Sequence, residues 1–285
     1  GRDMKSKKLI LGLAAAGLLI SACGSSSKSA ATTTPAASTV DCKPVKPGVL
    51  SVVTSLPGPN FWGSSGGEID PTKIDSGVEY DMATKIAEKC GLKMSFRNEN
   101  FDAIVAGQIP EGTYDIVLSQ VTITPDRAKV VDFSSGYFKA DQGLLVKKGV
   151  KVSTWADVAK MTIGVQASTT AETYLMTDPA WKVSNLKSFP DLTSAYEALS
   201  SGQVQGVIID TPINLGQAAQ SKGELEVVAQ FKTGDEYGAI FPKGSDRKAI
   251  FDPIIAGLVS DGTVTALTVK YFAGDPSKVP FIVPG

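Results

Sequence analysis

The stretch from Thr113 to Lys148, TYDIVLSQVTITPDRAKVVDFSSGYFKADQGLLVKK, constrains this chain more than any other. Tyr114 to Ser119 run apolar without alternation, through Ile116, Val117 and Leu118, as in a strand buried on both faces of a parallel sheet. A loop over Ser119 to Thr122 follows. Thr124-Pro125-Asp126-Arg127 then offers a capping hydroxyl, a proline at the first helical position and an acid in the first turn, so a short helix is expected there. Strand end, loop and helix start meet at one point, and in an open α/β sheet ligands bind at the carboxyl ends of strands. Backbone N–H groups near Thr122, its hydroxyl and the Arg127 guanidinium can converge there on a small anion. A carboxylate is the planar anion that a guanidinium fork grips with two bonds.

YDIVLSQVTITPDR followed by VVDFSSGYF resembles the extracellular solute-binding proteins of amino-acid ABC transporters, in the T-x-T-P-x-R turn and the D-F-S-x-x-Y segment together. The resemblance runs from about Val49 to Phe272. It implies an α/β, two-lobe, periplasmic-binding-protein-like fold of type II, with a hinge and an inter-lobe cleft. Lobe 1 is expected to be discontinuous, residues 41–142 and 238–285, and lobe 2 to span 143–237. The family places an aromatic of the first loop on the ligand, which implies Phe61 or Trp62, and a second aromatic at Phe101; from the residues alone each of the three reads equally as a core aromatic. Thr169, with Ser168 where relatives carry glycine, is implied as a second carboxylate contact. Asp210 is implied as the acid that receives the ligand's α-ammonium group.

The residues carry independent readings at these positions. Thr169 and Glu172 have capping-box spacing, so a helix N-terminus with free N–H groups should open there. Gly206 to Ile209 reads as a short buried strand that delivers Asp210 to the cleft edge of the sheet, and Asp210 can equally cap the helix begun by Thr211-Pro212. Ser119, Gln120, Gln142 and Gln166 are expected around the ligand. Ser55 stands where relatives that bind cationic side chains often have an aspartate, so a neutral or acidic polar amino acid is expected ahead of arginine or lysine.

Within the 285 residues, 28 basic and 29 acidic side chains leave no charge excess to suggest nucleic acid. Histidine is absent, which removes the commonest general base and metal ligand, and three distant cysteines give no zinc spacing; neither metal nor cofactor is expected. MKSKKLILGLAAAGLLISAC, from Met4, reads as a secretory signal with an apolar run too short for a comfortable membrane span. Its end resembles a bacterial lipobox, which implies lipidation of Cys23. Residues 1–23 are thus read as signal and 24–40 as a flexible Ser/Thr/Ala/Pro linker. Cys42 and Cys90 remain as a pair in an exported setting, either disulfide-bonded or as two free thiols. The expected protein is a monomeric extracytoplasmic lipoprotein, anchored on the outer face of the cell membrane, that hands an amino acid to an ABC permease. The alternatives are a cleft enzyme of the cyclohexadienyl dehydratase type and a ligand-sensing module for a membrane receptor.

Overall fold

The computed structural model describes residues 39–64 and 72–285. The signal segment, Cys23 and most of the linker lie outside the described residues. Among the described residues, ten strands form two five-stranded sheets. The first sheet holds β1 (Val49–Thr54), β2 (Lys93–Asn98), β3 (Ile116–Val117), β4 (Val131–Phe133) and, from late in the chain, β10 (Ile240–Pro242), in the order β2-β1-β3-β10-β4. The second holds β5 (Phe138–Lys147), β6 (Thr162–Gln166), β7 (Asn185–Phe189), β8 (Gly206–Asp210) and β9 (Leu225–Tyr237), in the order β7-β6-β8-β5-β9. Each sheet is the body of one lobe, and the cleft runs between them. In both, the early strands pair in parallel (β1 with β2 and β3, β6 with β7 and β8), as the apolar runs LSVV, IV and GVII require of strands covered on both faces.

The helices are α1 (Val78–Lys89), α2 (Phe101–Val105), α3 (Trp155–Ala159), α4 (Thr170–Thr177), α5 (Leu192–Ser201), α6 (Thr211–Gln220), α7 (Arg247–Ser260) and α8 (Thr263–Tyr271). Start signals act where the sequence puts them. Asp191 accepts from Ser194 N and Gly202 closes α5 in the left-handed region, while Thr154 and Asp157 form a reciprocal box at α3. Other signals are overridden. Asn100 precedes α2 but makes no capping bond, and the turn after Thr124-Pro125 is a single 3-10 turn, Arg127–Lys129, rather than a helix. Pro125 and the strand that begins at Val131 leave room for no more.

Two adjacent segments carry the chain between lobes: β4 leads into β5, and β9 leads into β10. Their ends pair at Phe138 and Tyr237, with Tyr137 N donating to Tyr237 O at 2.9 Å and Ser134 N to Ala239 O at 2.9 Å. The lobe-1 base is tied by Asp115, fully buried, which accepts from Val45 N and Ser51 N and pairs with Arg247 at 3.1 Å. Gly77 is needed where α1 begins: its φ is 124°, and a Cβ would sit 2.3 Å from the Phe61 carbonyl oxygen.

Cys42 and Cys90 are joined in a disulfide across a sequence separation of 48. Closing a loop of that length removes unfolded-state entropy worth about 4 kcal/mol. Denaturant unfolding of the doubly substituted Cys42→Ala, Cys90→Ala protein should show a stability loss of about 3–4 kcal/mol with native circular dichroism; an unchanged midpoint would contradict it.

Candidate functional site

At the carboxyl ends of β1, β3, β6 and β8 the two lobes line a shared pocket. Ser119, Gln120, Thr122, Arg127 and Phe101 line it from lobe 1, and Gln166, Thr169, Thr170 and Asp210 from lobe 2, so eight side chains singled out in the sequence for the ligand share one wall. Ser55, Leu56, Pro57, Leu192, Ile209 and Ile213 complete the lining. The strand-to-turn junction behaves as its residues dictate. β3 ends, the chain turns at Gln120 with φ 49°, and Thr124 Oγ1 accepts from Arg127 N at 3.2 Å, which aims the guanidinium into the cleft.

Arg127 spans the cleft. Its NH1 donates to Thr122 O at 2.9 Å and its NH2 to Ser168 O of the opposite lobe at 2.8 Å, while the guanidinium lies 5.6 Å over the Phe101 ring. Burial pulls its pKa down and the nearby carboxylates of Asp210 and Asp235 push it back up. Ser168 holds φ 65°, a left-handed conformation uncommon outside glycine. Its side chain does not line the cavity; its carbonyl is what meets Arg127. Beyond it Thr169 caps α4, accepting from Glu172 N at 3.2 Å, but the Glu172 carboxylate returns to Ser168 N at 2.7 Å, one residue earlier than a reciprocal box requires.

Asp210 is only 5% exposed. One side chain from each crossover strand holds it: Gln142 of β5 donates its Nε2, and Tyr237 of β9 donates its hydroxyl at 2.6 Å. It makes no capping bond to α6, so the capping alternative is not used. Burial raises its pKa to about 7, against the lowering effect of the Tyr237 bond; Asp235 adds to the rise, and Gln142 and Arg127 oppose it. Asp235 lies alongside, accepting from Tyr174 OH at 2.8 Å and Gln142 Nε2 at 3.2 Å.

Three expectations are corrected. Phe61 and Trp62 are both 0% exposed and do not line the cavity. Phe61 packs edge-on against Phe138, Tyr237 and Phe272, and the Trp62 indole donates to Glu79 at 2.8 Å and to Leu118 O at 3.1 Å, so both rings are core. Gln142 lies beneath the cleft, committed to Asp210, rather than in its wall. The first loop contributes Ser55, Leu56 and Pro57 instead.

A second buried acid was not anticipated. Glu79, 0% exposed, accepts from Trp62 Nε1, Gln120 N, Gln120 Nε2 and Tyr137 OH, and burial raises its pKa. Its signal was present: Glu79 shares the inward face of α1 with Met82, Ala83 and Ile86, where a charge needs partners. Tyr237 and Asp235 had no comparable signal. Among the described residues, no group of three His, Cys, Asp or Glu side chains is placed to hold a metal ion.

The family model of bacterial extracellular solute-binding proteins, family 3, matches residues 68–274. The chain belongs to this family. It is 28% identical over 207 residues to the L-cystine-binding protein TcyJ of Escherichia coli (strain K12), covering 71% of this chain and 76% of that one. It is 29% identical over 222 residues to the ABC transporter glutamine-binding protein GlnH of Bacillus subtilis (strain 168), covering 75% and 77%. The solved structure of an ancestral arginine-binding protein bound to glutamine superposes with a TM-score of 0.69 at 29% identity, over 80% of this chain and 100% of that one. Its curated relatives thus include amino-acid-binding proteins of ABC importers, and the two-lobe architecture is that of the solved structures.

Tyr237→Phe removes a bond that lowers the Asp210 pKa, so the midpoint for Asp210, followed by carboxyl-edited NMR, should move above about 7. No upward movement would show that the hydroxyl does not reach this acid.

Proposed function

We propose that this protein captures a free α-amino acid in the inter-lobe cavity and delivers it to the permease of an ABC importer. The observation that carries the reading is the pairing of Arg127 from one lobe with Asp210 from the other on a single cavity wall. A zwitterion matches the two: its carboxylate suits Arg127, Thr122 and Thr169, and its ammonium group suits Asp210. Each charge-assisted bond contributes about 1.5–3 kcal/mol when desolvated. A ligand that contacts both lobes binds the closed state better than the open one, and so drives closure. Relatives that bind cystine and glutamine support the ligand class.

The side-chain end favours an uncharged group. Among the described residues Arg127 is the one basic side chain lining the cavity, and it is committed to the α-carboxylate, so an acidic side chain lacks a counter-ion. Asp210 and Asp235 already have partners, and Ser55 supplies no charge for a cationic one. Ser55, Ser119, Gln120 and Gln166 suit a carboxamide, while Leu56, Pro57, Leu192 and Ile213 cover aliphatic or sulfur-containing parts. Asparagine and glutamine therefore rank ahead of aspartate and glutamate, and these ahead of arginine and lysine. Lobe boundaries at 142/143 and 237/238 fit the pairing of the crossovers. Export as a lipoprotein with the lipid on Cys23, a tether through residues 24–40 and action as a monomer complete the reading, in which the cleft binds without turnover.

Calorimetry against the twenty amino acids tests the ranking; submicromolar binding of arginine or lysine with none of the four polar candidates would overturn it. Arg127→Ala should weaken binding by about 3 kcal/mol or more, beyond 100-fold, with the fold intact. Affinity should also rise with pH through about 7, because burial raises the Asp210 carboxyl to about that value and only its ionised form attracts an ammonium group. A flat profile from pH 5.5 to 8 would remove Asp210 from the site.

A further inference from the structure

Past α8 the chain does not end on lobe 1. Lys270 and Tyr271, the last turn of α8, bond Asp81 of α1 at 3.0 and 2.6 Å, so this helix belongs to the first lobe. Residues 273–282 then run to the second. Ala273 N donates to Asn60 Oδ1 at 3.2 Å, and Gly274, with φ 89°, passes close against Leu215 of α6. Asp275-Pro276-Ser277 makes a tight turn in which the aspartate accepts from Ser277 N at 2.9 Å.

The segment finishes on β9, the edge strand of the second sheet, where Gln230 receives it through four hydrogen bonds. Gln230 N donates to Pro280 O at 2.8 Å and Ile282 N to Gln230 O at 2.8 Å, while Gln230 Nε2 donates to Pro276 O at 2.6 Å and Val279 O at 2.9 Å. Ile282, 7% exposed, enters the lobe-2 core with Trp155, Trp181 and Phe231. Gln230 is itself 4% exposed, and the match to the family ends at residue 274, so the docked part of this segment lies beyond it.

The start of the segment also reaches the hinge. Phe272 stacks on Phe138 with ring centroids 5.4 Å apart, Phe138 stacks on Tyr237 at 5.6 Å, and the Tyr237 hydroxyl holds Asp210. We propose that residues 272–282 form a third inter-lobe crossing, anchored by Gln230, in which Phe272 is a positioning residue that fixes the Asp210 carboxylate through Phe138 and Tyr237. The crossing limits opening, because separating the lobes must either strip the segment from β9 or unstack Phe272. It therefore slows ligand escape more than ligand entry. The positioning role rests on the amino-acid reading above; the crossing itself does not.

The test compares the full chain with three variants: Gln230→Met, Phe272→Ala and a chain ending at Gly274. Small-angle scattering without ligand should give a larger radius of gyration for the shortened chain. Stopped-flow dissociation of the tightest amino acid from the panel should accelerate roughly tenfold in the shortened chain and several-fold in Gln230→Met, with association nearly unchanged. Phe272→Ala should shift the midpoint of the pH–affinity profile and weaken free amino acids more than their N-acetyl analogues. A folded shortened chain with unchanged scattering and dissociation overturns the crossing; if that chain does not fold, unchanged dissociation in Gln230→Met does so. An unmoved pH midpoint in Phe272→Ala overturns the positioning role. If no amino acid binds the full chain, the ligand reading fails, and scattering together with amide-exchange protection of Ile282 still decides the crossing.

Discussion

The Asp210 carboxylate, buried at the end of β8 and gripped by one side chain from each crossover strand, is the interaction on which the cleft depends. A carboxylate removed from water is costly unless its lone pairs are met. Here the donors are Gln142 and Tyr237, so the two segments that join the lobes are also those that hold the acid. The site and the hinge are one polar structure. Its carboxyl, raised to about 7 by burial, lies near the edge of ionisation, and a cationic group arriving beside it would draw the proton away.

Glu79 is the lobe-1 counterpart. It gathers Trp62, Gln120 and Tyr137, and the Tyr137 ring lies 6.3 Å from that of Tyr237, tilted by 57°, where the two crossovers pair. Through Gln120 it fixes a left-handed residue of the cleft wall, and through Trp62 it keeps an indole inside the core. Such fully partnered buried networks rigidify what surrounds them.

The sequence carried much of this architecture because several elements are locally consistent. β6 occupies Thr162–Gln166, the span its apolar run delimits, and α5 starts at its aspartate and stops at its glycine. The T-x-T-P-x-R turn located the cleft because proline, hydroxyl and guanidinium act within five residues of one another. Phe61 and Trp62 stay undecided between core and cleft in the sequence for the opposite reason. A loop aromatic has no periodicity to say which way it points, and the direction is set by Glu79, Phe138 and Phe272, distant in sequence. Asp235 and Tyr237 were illegible because they sit on a long strand whose role as a crossover appears only once β5 and β9 pair. The pairing of the tail with Gln230 depends on β9 being an edge, which no local pattern announces.

The Cys42–Cys90 bridge has a mechanical meaning apart from its thermodynamic one. It joins the entrance of the body to the end of α1, and Val40 N adds a bond to Lys89 O at 2.9 Å beside it. Any pull on the chain preceding Cys42 thus divides at that residue, one part passing along the backbone toward β1 and the other through the bridge into the end of α1. Tension from that side is shared with the helix layer, where Lys270 and Tyr271 of α8 hold Asp81 of α1, instead of falling on β1 alone.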